Sequence, residues 1–289
     1  MKSFLELTKS GIVIFVLLSG LVGYAFSYPV GQHLDFFEVI VLLLGLYFLS
    51  SGSFTLNQAQ EWRIDLNMPR TSQRPIPSGK LSAWQAYFIG FLFLFVGLLL
   101  LYILTPLTAL TGLFTVFLYN VFYTLIWKKK WNFGAVPGAI PGAMPVVIGY
   151  SVNTTQIYSP ECVYLFLIMF LWQMPHFWCL AIKFKNDYKS GGIPVLPLGI
   201  GEERTKYHMG IYTFVYIGVA LTAPLFTRSS WLYLFLIVPF AIKVLIEFFK
   251  YFEAKSNDKN WLPFFLWINL SMLVFLAAPV LDKWFYYHF

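Results

Sequence analysis

Residues 57–75 read NQAQEWRIDLNMPRTSQRP, and Asn57, Glu61 and Asp65 recur in them every four positions. A helix carried through this stretch lines the three oxygen-bearing side chains along one face. Hard oxygen donors so arranged suit Mg²⁺, which takes one or two carboxylates together with phosphate oxygens and water. Arg70 and Arg74 follow, again four apart, and a guanidinium matches phosphate oxygens two at a time. The constellation therefore points to a diphosphate gripped by metal and arginine. The competing reading is a charged interfacial loop whose carboxylates and arginines merely pair with each other.

A second segment repeats the chemistry with fewer acids. Asp187 stands among Lys183, Lys185 and Lys189. One carboxylate can hold a further metal ion while lysines neutralise a departing diphosphate, although a cationic loop at a membrane face needs no chemistry to explain it. Upstream, His176 follows Pro175 inside an apolar stretch. Imidazole there can bind iron or move a proton, or it is a hydrogen-bonded core residue. Tyr123 and Lys128 can extend the phosphate cluster, but Lys128 opens a lysine triplet that membrane topology also accounts for.

These residues need elements to hold them, and the composition says which. The 289 residues are 58% hydrophobic and 11% charged, far outside the range of a soluble domain. A bilayer core takes about 20 apolar residues per helical crossing. Nine stretches qualify, near residues 11–26, 36–54, 84–104, 106–127, 133–152, 162–182, 209–226, 231–249 and 261–280. None alternates with period two, so they are helices and not barrel strands. Eight spans follow the first, which reads as a retained helix instead of a signal peptide. The expected fold is an all-α integral membrane bundle of nine transmembrane helices in a single domain, residues 1–289.

Nine crossings place Lys2, Lys9, Arg63, Arg70, Arg74, Lys80, Lys128, Lys129, Lys130, Lys183, Lys185, Lys189, Arg204, Lys206, Lys250, Lys255 and Lys259 on one side. Only Arg228 and Lys283 fall opposite, and Lys243 lies within the eighth span, from which it snorkels. The positive-inside rule makes the rich side cytoplasmic, with the N-terminus and both polar loops there and the C-terminus outside. The formal charge of +7 follows from this topology and does not form the continuous basic stripe of a nucleic-acid binder. Cys162 and Cys179 sit at opposite ends of one span, which excludes a disulfide between them. In the fifth span Gly134, Gly138 and Gly142 alternate with Pro137, Pro141 and Pro145, a stripe that allows close helix packing and leaves a thin wall beside a bulky ligand.

The motifs together resemble those of the UbiA-type intramembrane prenyltransferases, and within them the branch that farnesylates haem. RTSQRP at residues 70–75 is similar to the family's first polar motif; PHFW at 175–178 and DYKSGGIPVLP at 187–197 are similar to its second. The resemblance covers nearly the whole chain. It implies farnesyl diphosphate and haem b as substrates within a lipid bilayer, and Mg²⁺ as cofactor held by Asn57, Glu61, Asp65 and Asp187. It further implies diphosphate binding by Arg70, Arg74, Lys183 and Lys185, catalytic roles for Asp65, Asp187 and His176, and haem binding through His176. Glu61 replaces the aspartate that many members carry, and the second acidic pair is reduced to Asp187, with Gly191 four residues on. That reduction favours the haem branch over enzymes that prenylate aromatic quinone precursors. A transporter is the rival of another class, disfavoured because the polar groups gather at one face and not at the midplane; a purely structural subunit leaves the spacing of Asn57, Glu61 and Asp65 unexplained. With no Arg-rich and Ser-rich presequence before Gly11, a bacterial plasma membrane is expected, with haem A synthase or terminal oxidase assembly as partners.

Overall fold

A computed structural model describes residues 2–225, 227, 229–253 and 261–286, with side chains from residue 5 onward. Arg228, Lys255, Lys259 and the end of the seventh expected span at Phe226 lie outside the described residues. Helix is the only regular structure among those described. Nine long helices, labelled here α1 to α9, run Ser10–Ser27, Phe36–Asp65, Ala83–Leu104, Pro106–Phe117, Ala135–Tyr150, Pro160–Lys183, Glu202–Thr222, Trp231–Glu253 and Trp261–Tyr286. Eight of the described helical segments are long and apolar enough to cross a membrane, α4 counting together with its continuation to Lys130. The exception, α5, has 16 residues, or roughly 24 Å at 1.5 Å per residue, and is packed inside the bundle.

Helix starts follow local chemistry. Asp35 accepts from the backbone N–H groups of Phe37 and Glu38 to open α2, Ser82 and Gln85 form a reciprocal capping box on α3, and Thr105 and Ser159 cap helices that begin with Pro106 and Pro160. The expected fourth span departs from a plain helix: after Phe117 it continues as a ten-residue π-helix, Leu118–Trp127, a wide coil concentrated at functional sites.

Two buried apolar clusters meet at α5, one drawn mainly from α6 to α9 and the other from α1 to α4. Where α5 crosses α1 there is no room for side chains. A Cβ on Gly149 would fall 1.8 Å from the Gly20 carbonyl oxygen, and one on Gly23 2.0 Å from that of Val146. The far end of α9 closes the ring. Lys283 Nζ donates to the carbonyls of Phe26 (2.5 Å) and Tyr28 (2.8 Å) at the end of α1, while Asp282 accepts from the Ser230 and Tyr233 backbone at the start of α8. On the opposite face residues 66–82 and 184–201 clasp each other: Met68 packs with Ala181, Tyr188, Ile193 and Val195, and a Cβ on Gly191 would meet its sulfur at 2.8 Å.

Candidate active site

Helix α2 runs 11 residues beyond the expected end of its span at Phe54, to Asp65, and its last turns carry the acidic face. Asn57, Glu61 and Asp65 are 1%, 2% and 1% exposed, burial that a carboxylate tolerates only beside a cation. Lys128 Nζ donates to Glu61 Oε2 at 2.6 Å. Arg74 Nη1 donates to both Asp65 oxygens, at 2.8 and 3.0 Å. Asn57 is oriented from its other end: its Nδ2 donates to Thr124 Oγ1 at 3.1 Å, and that hydroxyl spends its own hydrogen on the Tyr119 carbonyl. Asn57 Oδ1 therefore faces the site.

The second loop supplies Asp187, 4.0 Å from Arg70 Nε, and the Arg70 guanidinium lies over the rings of Phe184 (4.7 Å) and Tyr188 (5.7 Å). Arg70 and Asp187 thus join the two motifs across 66–82 and 184–201. Two expected diphosphate ligands are placed otherwise: Lys185 pairs with Glu202 at 3.0 Å, and Lys183 lies 5.1 Å over the Trp261 ring. Neither touches the acidic face. Lys243 pairs with Glu247 one turn further along α8 at 2.6 Å.

One site residue escaped the sequence analysis except as a topological charge. Lys9, just ahead of α1, donates from Nζ to Asn57 Oδ1 at 2.9 Å and sits 5.3 Å over the Phe54 ring. Burial, reinforced by the Arg74 and Lys128 cations and partly opposed by Glu61 and Asp65, pushes its ammonium down to about 7. Its backbone has φ +50° and ψ +47°, the only positive φ at a non-glycine among the described residues, a strained conformation that turns the N-terminal segment onto α2. No spacing or motif in the sequence marks it, because its partner lies 48 residues away.

Beneath the charged face lies a cavity of about 370 Å³ walled by α1, α2, α4 with its π-helix, α5, α6 and α9. Tyr119 and Tyr123 line it, their ring centroids 5.5 Å apart, and Tyr123 occupies the space that a Cβ on Gly138 would need. Gly142 likewise makes room for the Gln173 amide, so the glycine stripe of α5 serves both close packing and the cavity wall. His176 is also a wall residue. Its Nδ1 lies 2.9 Å from Asn269 Oδ1, a partner on α9 that no sequence motif marked.

The donor set suits a hard divalent cation. Among the described residues no three His, Cys, Asp or Glu side chains gather into a common metal centre; each carboxylate is instead faced by a cation of the chain. Yet Glu61 Oε1 is buried without a hydrogen-bond partner, and a buried carboxylate oxygen left over is the kind of ligand Mg²⁺ takes along with phosphate oxygens.

The chain belongs to the UbiA prenyltransferase family, whose pattern matches residues 16–270. Among its relatives is the protoheme IX farnesyltransferase of Bdellovibrio bacteriovorus, 52% identical over 98% of this chain and 97% of that one. The protein of the same name from Christiangramia forsetii is 32% identical over 98% and 95%. The fold matches a digeranylgeranylglyceryl phosphate synthase at TM-score 0.78, with 18% identity and 98% of each chain covered. It also matches a UbiA homolog from Archaeoglobus fulgidus bound to DMAPP and Mg²⁺, at TM-score 0.68 with 17% identity over 96% of this chain and 98% of that one. The protein is an integral membrane prenyltransferase.

Proposed function

We propose that the protein transfers the farnesyl group of farnesyl diphosphate to a vinyl group of haem b, with addition of water, giving haem O and diphosphate. The observation that carries this reading is the buried acid-and-cation face, Asn57, Glu61 and Asp65 with Lys9, Lys128 and Arg74, which follows along α2 from Ser53 and Phe54 in the wall of an apolar cavity that His176 also lines. The similarity to protoheme IX farnesyltransferase over the full length of both chains supports the choice of acceptor.

Asn57, Glu61 and Asp65, with Asp187 from the second loop, are the residues that would hold Mg²⁺ in this reading, and the ion would supply positive charge against the diphosphate. Arg74, Arg70, Lys128 and Lys9 carry out the rest of the charge compensation. The prenyl chain lies in the cavity beside Tyr119 and Tyr123, whose ring faces stabilise the positive charge that develops at the allylic carbon. When the carbon–oxygen bond breaks, its electron pair leaves with diphosphate. The vinyl π-electrons then form the new carbon–carbon bond, and water adds to the resulting cation and loses a proton. Apolar walls keep other water out until that point. A bacterial plasma membrane, with both loops cytoplasmic and haem A synthase or an assembling terminal oxidase taking the product, completes the proposal.

The test incubates detergent-purified protein with haem b, farnesyl diphosphate and Mg²⁺ and follows the haem by mass spectrometry. Haem carrying one farnesyl group plus water, absent without Mg²⁺ and lowered by about 10²-fold or more in Asp65→Ala, is expected. Full activity in that variant removes the diphosphate scheme. An aromatic acid prenylated in place of haem keeps the family and changes the acceptor.

A further inference from the structure

His176 and Asn269 face each other across the cavity wall, and a third group decides how. Asn269 Nδ2 donates to the carbonyl of Phe265, one turn earlier on α9. With its nitrogen so committed, the amide turns Oδ1 toward His176, 2.9 Å from Nδ1. An amide oxygen only accepts, so Nδ1 of the imidazole carries the hydrogen and the lone pair of the neutral ring is at Nε2. The ring is held between Trp172, 4.7 Å between centroids, and Phe265, 4.9 Å. The neighbouring amide of Gln173 does not compete as an acceptor: its Nε2 donates to the carbonyls of Ala139 and Met169, which turns its Oε1 onto Gly142.

We propose that Asn269 is a positioning residue for the haem substrate: by accepting from His176 Nδ1 it fixes the tautomer and plane of the imidazole and leaves Nε2 as the ligand for the haem iron. The inference rests on the reading that this cavity receives haem. Metal-bound histidines characteristically donate their second ring N–H to a carbonyl or carboxylate, which orients the ring and raises its basicity, and loss of that acceptor typically costs 10–100-fold in affinity. The acceptor here comes from α9 and the ligand from α6, so the packing of these two helices sets the orientation of the acceptor substrate.

The experiment titrates haem b into the purified full-length protein without farnesyl diphosphate. It records affinity and, for the ferrous form, the iron–histidine stretching band by resonance Raman. Wild type is expected to show the band and His176→Ala to lose it. In Asn269→Leu the band should move to lower frequency, with affinity down about 10- to 100-fold; Asn269→Asp, which keeps an oxygen acceptor and adds charge, should restore affinity and move the band up. Retained binding of farnesyl thiodiphosphate shows that each variant is folded. An unchanged band and affinity in Asn269→Leu, with both lost in His176→Ala, overturns the role of Asn269 alone. A wild-type protein that binds no haem overturns this inference and the haem reading together.

Discussion

Lys9 shows how much a single charge can depend on its surroundings. Its ammonium is pushed down to about 7, against about 10.4 in an unfolded chain. Between those values the unfolded chain holds a proton that the folded one lacks, so stability rises with pH across that window; below about 7 both forms are charged and the cost of the buried ammonium is fully present. A diphosphate settling beside Lys9 reverses the balance, because an anion favours the charged form. Binding at pH 8 should therefore draw a proton from solution. Calorimetry of farnesyl thiodiphosphate binding in two buffers of different ionisation enthalpy should find this uptake in wild type and lose it in Lys9→Met; equal uptake in both would assign the proton elsewhere.

The crossing of α1 and α5 is where helix geometry limits the cavity. Gly20, Gly23 and Gly149 bring two backbones together, so the short α5 can stand as a thin partition between the apolar clusters. Gly23→Ala and Gly149→Ala each force this contact apart, an overpacking cost of typically 1–3 kcal/mol. Both should lower the midpoint of thermal unfolding followed by size-exclusion chromatography in detergent. Gly218→Ala is the matched control: nothing lies within 4 Å of its Cβ position inside α7, so helix propensity alone should leave it neutral or stabilised by up to about 1 kcal/mol. The π-helix works on the same scale, placing Tyr119 and Tyr123 in the cavity wall while Asn120 and Thr124 bond α2.

Across the bundle, the two motif loops share one face, joined by Arg70 and Asp187, while Lys283 and Asp282 tie α9 to α1 and α8 at the other. This arrangement makes a topological prediction. With the buried Cys162 and Cys179 replaced by serine, single cysteines at Ser78 or Ser190 should react with an impermeant maleimide from the cytoplasmic side of oriented vesicles. Gln32→Cys and Gln156→Cys should react only from the other side. Labelling of all four from one side would break the nine-crossing path.

Hydropathy, charge asymmetry and a spacing of four are properties of contiguous chain, so the sequence by itself determined the membrane bundle, its two polar loops and the oxygen-bearing face of Asn57, Glu61 and Asp65. The π-helix went unread because the change from i+4 to i+5 bonding has no compositional signature. The partners were decided only by tertiary structure: Lys9 on Asn57 across 48 residues, Lys128 on Glu61 across 67, Asn269 on His176 across 93. So was the diversion of Lys185 to Glu202 and of Lys183 to Trp261. The reason is physical: a buried charge or imidazole must find its partner among whatever groups packing brings within about 3 Å, and which groups those are depends on how α1, α4, α6 and α9 close around α5.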